Sequence, residues 1–187
     1  MDQLEGTEML ALTHVTEWES WLAANHDRAA AVWLKIAKKG AAGTTISIAE
    51  ALDGALCFGW IDSHRRGLDA DHYLQRYSPR RPNSPWSQVN VAKAEALIAA
   101  GRMRAPGFAA IAAARADGRW SAAYERQRTA TCPADLRDAL SLNPRAQNTF
   151  EQLDRTAQYA HFLRLMKTRT PAGRADQLRR MIAELAV

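Results

Sequence analysis

The stretch WIDSHRRGLDADHYLQRY, residues 60–77, decides the fold class because it predicts two strands joined by a tight turn. Its two ends, 60–66 and 72–77, show an alternating pattern of side chains and contain aromatic and β-branched residues, as strands do. The GLDAD between them supplies the Gly and Asp residues that turns favour. We therefore predict an antiparallel hairpin. On such a strand, side chains two apart share a face, and one face is predicted to carry Trp60, Asp62, His64 and Arg66.

Helices and one more strand are predicted before this hairpin. A capping box at Thr16–Glu19 indicates the start of a first helix. The alternation in VWLKI predicts a strand over 32–36. A second capping box at Ser47–Glu50 predicts a helix that ends at Gly59.

The chain after the hairpin predicts helices only. Ser84 and Pro85 have the pattern of an N-cap followed by Pro at the first helical position, which predicts a helix that runs to about Ala100. Further helices are predicted to begin near Pro106, Pro133, Pro144, Arg155 and Pro171. The fold class is therefore α+β: a small antiparallel sheet packed with helices, followed by a helical C-terminal unit. We predict an α+β domain over 1–129 and a helical subdomain over 130–187.

Composition excludes several classes of protein. No stretch approaches the roughly 18 apolar residues of a membrane span, and the acidic N-terminus does not resemble a signal peptide. We therefore expect a cytoplasmic protein, in which Cys57 and Cys132 are free thiols. The net charge is +5, which is high enough to attract an anionic partner.

The residues before Ser84 suggest a binding site. Arg80 and Arg81 would lie beside the predicted helix N-terminus, where arginine forks and free backbone N–H groups can hold a carboxylate or a phosphate. Trp86 and Asn90 would line the same helix face. The alternative is that these arginines pair with aspartates such as Asp62 and brace the hairpin. The full set of candidate ligand-binding residues is Trp60, Asp62, His64, Arg66, Arg80, Arg81, Ser84, Trp86 and Asn90.

Motifs for other functions are not found in the sequence. There is no P-loop, dinucleotide fingerprint or nucleophile elbow, and no spacing of ligands typical of a metal site. We predict no catalytic residue, no metal and no cofactor, although an enzyme of unidentified chemistry at the Trp60–Asn90 junction stays an alternative. Residues 80–128 carry nine basic and three acidic side chains. Because no known nucleic-acid-binding motif accompanies these charges, we predict no specific nucleic-acid binding. A basic accessory protein for nucleic acid is the other alternative.

Four segments resemble a known family. EALDGALCFGWIDS, YLQRYSPRRPNSPWSQVN, LIAAGRMRAPGFAAIAAARADGRW and LSLNPRAQNTFEQL are similar to segments of the bacterial YdeI/OmpD-associated family, often labelled bacteriocin-protection. The resemblance implies a link to envelope proteins, to a protein partner and to survival of antimicrobial peptides. It implies no particular reaction, ligand or catalytic residue. Together with the site suggested by Arg80 and Arg81, it leads us to expect a binding protein that takes a small anion or a peptide carboxylate.

Overall fold

The computed structural model describes residues 2–4, 6–41 and 44–187. The chain divides into two units. Unit 1 comprises Met1–Ser84 and Asn90–Trp120, and unit 2 comprises Pro85–Val89 and Ser121–Val187. The division at residues 129 and 130 that the sequence predicts stays a prediction.

Unit 1 is built on a five-stranded sheet within the described residues. Its strands are β1 (Asp2–Leu4), β2 (Thr7–Leu10), β3 (Val32–Ala37), β4 (Trp60–Gly67) and β5 (His72–Pro79). They lie in the order β1-β2-β3-β5-β4. The α+β prediction and the antiparallel β4–β5 hairpin are both confirmed. One pair departs from the expected antiparallel sheet: β2 and β3 are parallel, because the chain crosses over through helix α1 (Val15–Asn25) between them.

A bulge interrupts the hairpin. Asp62 lies opposite Tyr77, whereas Arg65 lies opposite Gln75, so three steps along β4 match two along β5. The extra residue reverses the alternation, and Arg65 takes the face of Asp62. The prediction that Arg66 shares that face is wrong for this reason. Consistently, Arg65 Nε donates to Gln75 Oε1 at 3.1 Å.

The core of unit 1 packs two helices against this sheet. Helix α2 (Ile48–Cys57) begins at the predicted capping box, in which Ser47 and Glu50 bond each other's backbone amides. Trp18 of α1 is fully buried and its indole N–H donates to the carbonyl of Ala51 at 2.9 Å. A Cβ on Gly54 would lie 2.7 Å from the Trp18 ring, so only glycine allows this approach.

The start of α1 is displaced from its prediction. The predicted box used Thr16 and Glu19, but Glu17 accepts from the amides of Thr13 and His14, each at 2.9 Å. These bonds lower the pKa of the Glu17 carboxyl. A carboxylate two positions before the expected one therefore caps the helix.

Two further helices complete this part of the chain: α3 (Gln88–Ala99) and α4 (Ala105–Ala116). The prediction that α3 begins at Ser84 and Pro85 is wrong. Residues 85–87 precede the helix and form a β-bridge at Ser87: the Tyr124 amide donates to the Trp86 carbonyl at 3.0 Å, and the Gln88 amide donates to the Tyr124 carbonyl at 2.9 Å. These backbone bonds to a distant segment of unit 2 replace the first turn of the helix.

Unit 2 is helical, as predicted. Its helices are α5 (Ala134–Ser141), α6 (Pro144–Gln152), α7 (Arg155–Met166) and α8 (Pro171–Leu185). Three of the predicted starting residues begin their helices, and Pro133 caps α5. The buried core consists of Ala130, Leu136, Leu140, Ala146, Phe150, Phe162, Leu165, Met181 and Leu185. None of the helices in the described ranges is long and apolar enough to cross a bilayer.

Candidate functional site

A positively charged pocket of about 370 Å³ lies in unit 1. Three arginines and one aspartate line it, so the lining has a net charge of +2. The remaining lining residues are small or uncharged. The complete lining is Arg80, Arg81, Pro82, Asn83, Ala110, Ala113, Asp117 and Arg119.

The end of β5 and a turn position one side of the pocket. The Arg80 amide donates to the Gly59 carbonyl at 2.9 Å, which continues the hairpin by one pair. The Ser84 amide donates to the Arg81 carbonyl at 2.9 Å, closing a β-turn with Pro82 at its second position, where the fixed φ of proline fits. Arg81 is exposed at the rim, whereas Nε and Nη1 of Arg80 are buried.

Arg119 forms the fixed part of the pocket. It follows Gly118, whose φ of 78° ends α4 and turns the chain back. The Arg119 Nε donates to both carboxylate oxygens of Asp117, at 2.9 and 2.8 Å. Its Nη1 donates to the Ser84 carbonyl at 3.0 Å. Only 7% of Arg119 is exposed, so this guanidinium is held in one orientation.

Helix α4 forms the opposite wall. Ala110, Ala113 and Asp117 lie at i, i+3 and i+7, which is one helix face. The helix cannot move inward over the sheet. A Cβ on Gly107 would collide with the carbonyl oxygen of Cys57, and one on Gly59 would lie 2.8 Å from a carbonyl oxygen of α4. The wall is therefore rigidly placed by backbone contacts.

Of the residues predicted for the site, Arg80 and Arg81 line the pocket. Ser84 contributes its carbonyl to Arg119, and it is a turn residue rather than a helix N-cap. The two arginines of the predicted cradle therefore line a pocket, but the prediction that a helix N-terminus lies beside them is wrong. Trp86 is buried and precedes α3, so it does not share a helix face with Asn90.

The β4 residues lie outside this pocket. Trp60 is 1% exposed, and its indole N–H donates to the His26 carbonyl at 3.1 Å, as expected of a core residue. Asp62, His64 and Arg66 are exposed and are not part of the lining. Asp62 is exposed, and the alternative that Arg80 and Arg81 brace the hairpin by pairing with Asp62, Asp69 or Asp71 stays a prediction.

Sequence reasoning missed six of the eight lining residues, which come from the turn and from α4 with the residues after it: Pro82, Asn83, Ala110, Ala113, Asp117 and Arg119. One local signal was present. An acidic residue, a helix-ending glycine and an arginine in the order Asp117-Gly118-Arg119 allow the arginine to fold back on the helix end.

Two other kinds of chemistry, thiol catalysis and metal binding, have little support among the residues around the pocket and elsewhere in the described chain. The Cys57 thiol is buried in α2, and burial raises its pKa, which disfavours the nucleophilic thiolate. Throughout the described part of the chain, no three His, Cys, Asp or Glu side chains are grouped as a metal site would require. Three guanidinium groups in one lining are able to donate charge-assisted hydrogen bonds to an anion.

Comparison with known proteins gives two family matches. The model of a domain of unknown function, DUF8412, matches residues 10–110, more than half of the chain. The model described as Bacteriocin-protection, YdeI or OmpD-Associated (OmdA) matches residues 129–187, which confirms the family that the sequence resembles. No curated protein and no solved structure matches the chain. The chain therefore belongs to the DUF8412 family, and its residues 129–187 are of the YdeI/OmpD-associated type.

Proposed function

We propose that unit 1 binds a small anion in the arginine-lined pocket. The observation that carries the proposal is Arg119, a nearly buried guanidinium that Asp117 and the Ser84 carbonyl hold against the same pocket as Arg80 and Arg81. Guanidinium groups bind carboxylates and phosphates with charge-assisted hydrogen bonds. Because Arg119 is already oriented, little of its side-chain entropy remains to be lost on binding.

The charge balance favours an anion over a cation or a neutral ligand. Asp117 offsets one of the three arginines, and the lining keeps a net charge of +2. Asp117 uses both of its oxygens on Arg119, so its main effect is to fix that side chain. An incoming carboxylate would offset half of the charge that remains, and a doubly charged phosphate would offset all of it.

We also propose that the protein acts by binding rather than catalysis, in the cytoplasm, and that it helps the cell to survive bacteriocins or related envelope stress. The family description of residues 129–187 supports the stress role. Two free cysteines, Cys57 and Cys132, are usual in a reducing compartment and support the location.

The test compares two arginine variants of the same unit. Arg81→Ala removes an exposed lining charge and should weaken acetate and phosphate binding about tenfold or more by calorimetry. The free energy of unfolding should change by only about 0–1 kcal/mol, as for other exposed charges. Arg66→Ala is the matched control, since Arg66 is also exposed but does not line the pocket. Its binding should equal that of the parent.

Two results would contradict the proposal. If the parent protein does not bind acetate, phosphate or sulfate at millimolar concentration, the proposed anion site does not exist. Equal losses in Arg81→Ala and Arg66→Ala would show that general surface charge, rather than the pocket, attracts the anion. The same two variants, returned to a strain that lacks the gene, test the stress role: only Arg66→Ala should restore bacteriocin survival.

A further inference from the structure

We infer that the pocket takes the C-terminal carboxylate of a peptide whose last side chain is small and apolar. This inference rests on the proposed anion-binding function and specifies its ligand. It follows from the lining residues that are not charged, from the volume of the pocket and from the fixed position of α4.

The lining has three chemically distinct parts. Arg80, Arg81 and Arg119 provide the charge that a carboxylate needs. Asn83, at the tip of the turn, offers an amide that can both donate to and accept from a peptide group. The third part is apolar and consists of Pro82, Ala110 and Ala113.

A bare inorganic anion would leave that apolar part unused. Phosphate and acetate interact with guanidinium groups, but phosphate carries no apolar substituent and acetate has only a methyl group to place against the alanines of α4. A peptide end carries a carboxylate, an amide and an α-carbon side chain within a few bonds of one another. Its three groups match the three parts of the lining.

The dimensions agree with a ligand of one or two residues. The volume of about 370 Å³ lies at the lower end of the roughly 300–1,000 Å³ found for pockets that bind organic molecules. Gly59 and Gly107 bring α4 into backbone contact with its neighbours, which fixes the width of the pocket beside Ala110 and Ala113 and favours a small side chain there. We therefore expect alanine or another small apolar residue at the peptide terminus.

The experiment measures binding of a ligand series to the full chain by calorimetry. The ligands are N-acetyl-alanyl-alanine, its C-terminal amide, isovalerate, acetate and inorganic phosphate. The peptide acid should bind at least tenfold more tightly than acetate, phosphate or isovalerate, and the peptide amide should not bind measurably. A large terminal residue, as in N-acetyl-alanyl-tryptophan, should bind at least tenfold more weakly than the alanine peptide.

A pair of helix variants locates the binding. Ala113→Leu fills the apolar part and should weaken the alanine peptide more than tenfold while changing phosphate affinity less than threefold. Ala112→Leu is the matched control, because Ala112 is also an exposed residue of α4 but does not line the pocket. It should leave both affinities unchanged. Both alanines are exposed, and thermal melts check that each variant folds.

The outcomes separate this inference from the function on which it rests. Phosphate or acetate affinity equal to that of the peptide overturns the inference and leaves the anion site in place. Isovalerate binding as tight as that of the peptide also overturns it, in favour of free organic acids. If no anion binds, the proposed function and the inference fail together.

Discussion

Replacing Asp117 with Asn should lower the stability of the protein and raise its affinity for anions. The change removes the negative charge that faces Arg119 and nearly preserves shape, and the amide oxygen that remains can still accept from Arg119 and keep it oriented. Side-chain exposure is 6% for Arg119 and 37% for Asp117. Breaking a fully buried pair costs about 3–5 kcal/mol, and breaking an exposed one about 0–1 kcal/mol. With one buried and one partly exposed partner, and with the Ser84 carbonyl still accepting from Arg119, we expect a loss of about 2 kcal/mol.

The same change should strengthen binding, because the net charge of the lining rises from +2 by one unit. A charge a few ångströms away at the protein surface contributes on the order of 1 kcal/mol, which corresponds to about fivefold in affinity. The gain should shrink at high ionic strength. Urea unfolding and calorimetry with acetate measure the two effects.

The matched control is Asp176→Asn, which changes the net charge of the protein equally. Asp176 pairs with the exposed Arg180 at 2.7 Å in unit 2, so stability should change by less than about 1 kcal/mol and acetate affinity should not change. Loss of acetate affinity in Asp117→Asn would refute the charge argument. Equal gains in both variants would show that net charge, and not the pocket, governs binding.

Two further predictions concern stability. Tyr77 is fully buried, and the described residues give its hydroxyl no hydrogen-bond partner; burial also raises the pKa of this phenol. Tyr77→Phe should therefore leave the free energy of unfolding unchanged or increase it by about 1 kcal/mol. A clear loss of stability in urea unfolding would contradict this. Hydrogen bonds from Arg174 lower the pKa of the Asp135 carboxyl in the folded protein. The contribution of this ion pair to stability is therefore fully present above the unfolded pKa of about 3.9, and it is lost as the pH falls through the folded pKa. Asp135→Asn should cost about 1 kcal/mol at pH 7, since the pair is about one-third exposed, and the difference from the parent should vanish in acid; a difference that persists at low pH would show that packing, not charge, is responsible.

Local patterns predicted much of the fold. The β4–β5 hairpin depends on a turn whose residues are adjacent in sequence, and Asp69 closes it by accepting from the amides of Asp71 and His72. The helices of unit 2 begin at prolines or capping residues for equally local reasons. These elements were predictable because the groups that determine them lie within a few residues of one another.

The errors have non-local causes. Ser84 and Pro85 have the local pattern of a helix start, but the backbone of the next residues bonds to Tyr124. The bulge in β4 moves Arg65 to the face expected for Arg66, and the extra residue is visible only once the register with β5 is known. The sequence therefore predicted the arginines before the turn but not their surroundings, because Arg119 reaches the pocket only after α4 has crossed beside them.

Helix α4 serves two structural requirements on different faces. The Gly107 face lies against backbone carbonyls of α2, where no side chain fits, and the Ala113 face is exposed and lines the pocket. A Cβ at residue 107 must displace the helix, which would disturb the packing of unit 1 and the pocket wall together. A larger side chain at residue 113 extends into the pocket and would disturb the pocket alone. A binding site built on a rigid helix requires a loss of both stability and binding for a change at residue 107, and a loss of binding alone for a change at residue 113. A merely structural α4 would lose stability at residue 107 and would show no loss of binding at residue 113.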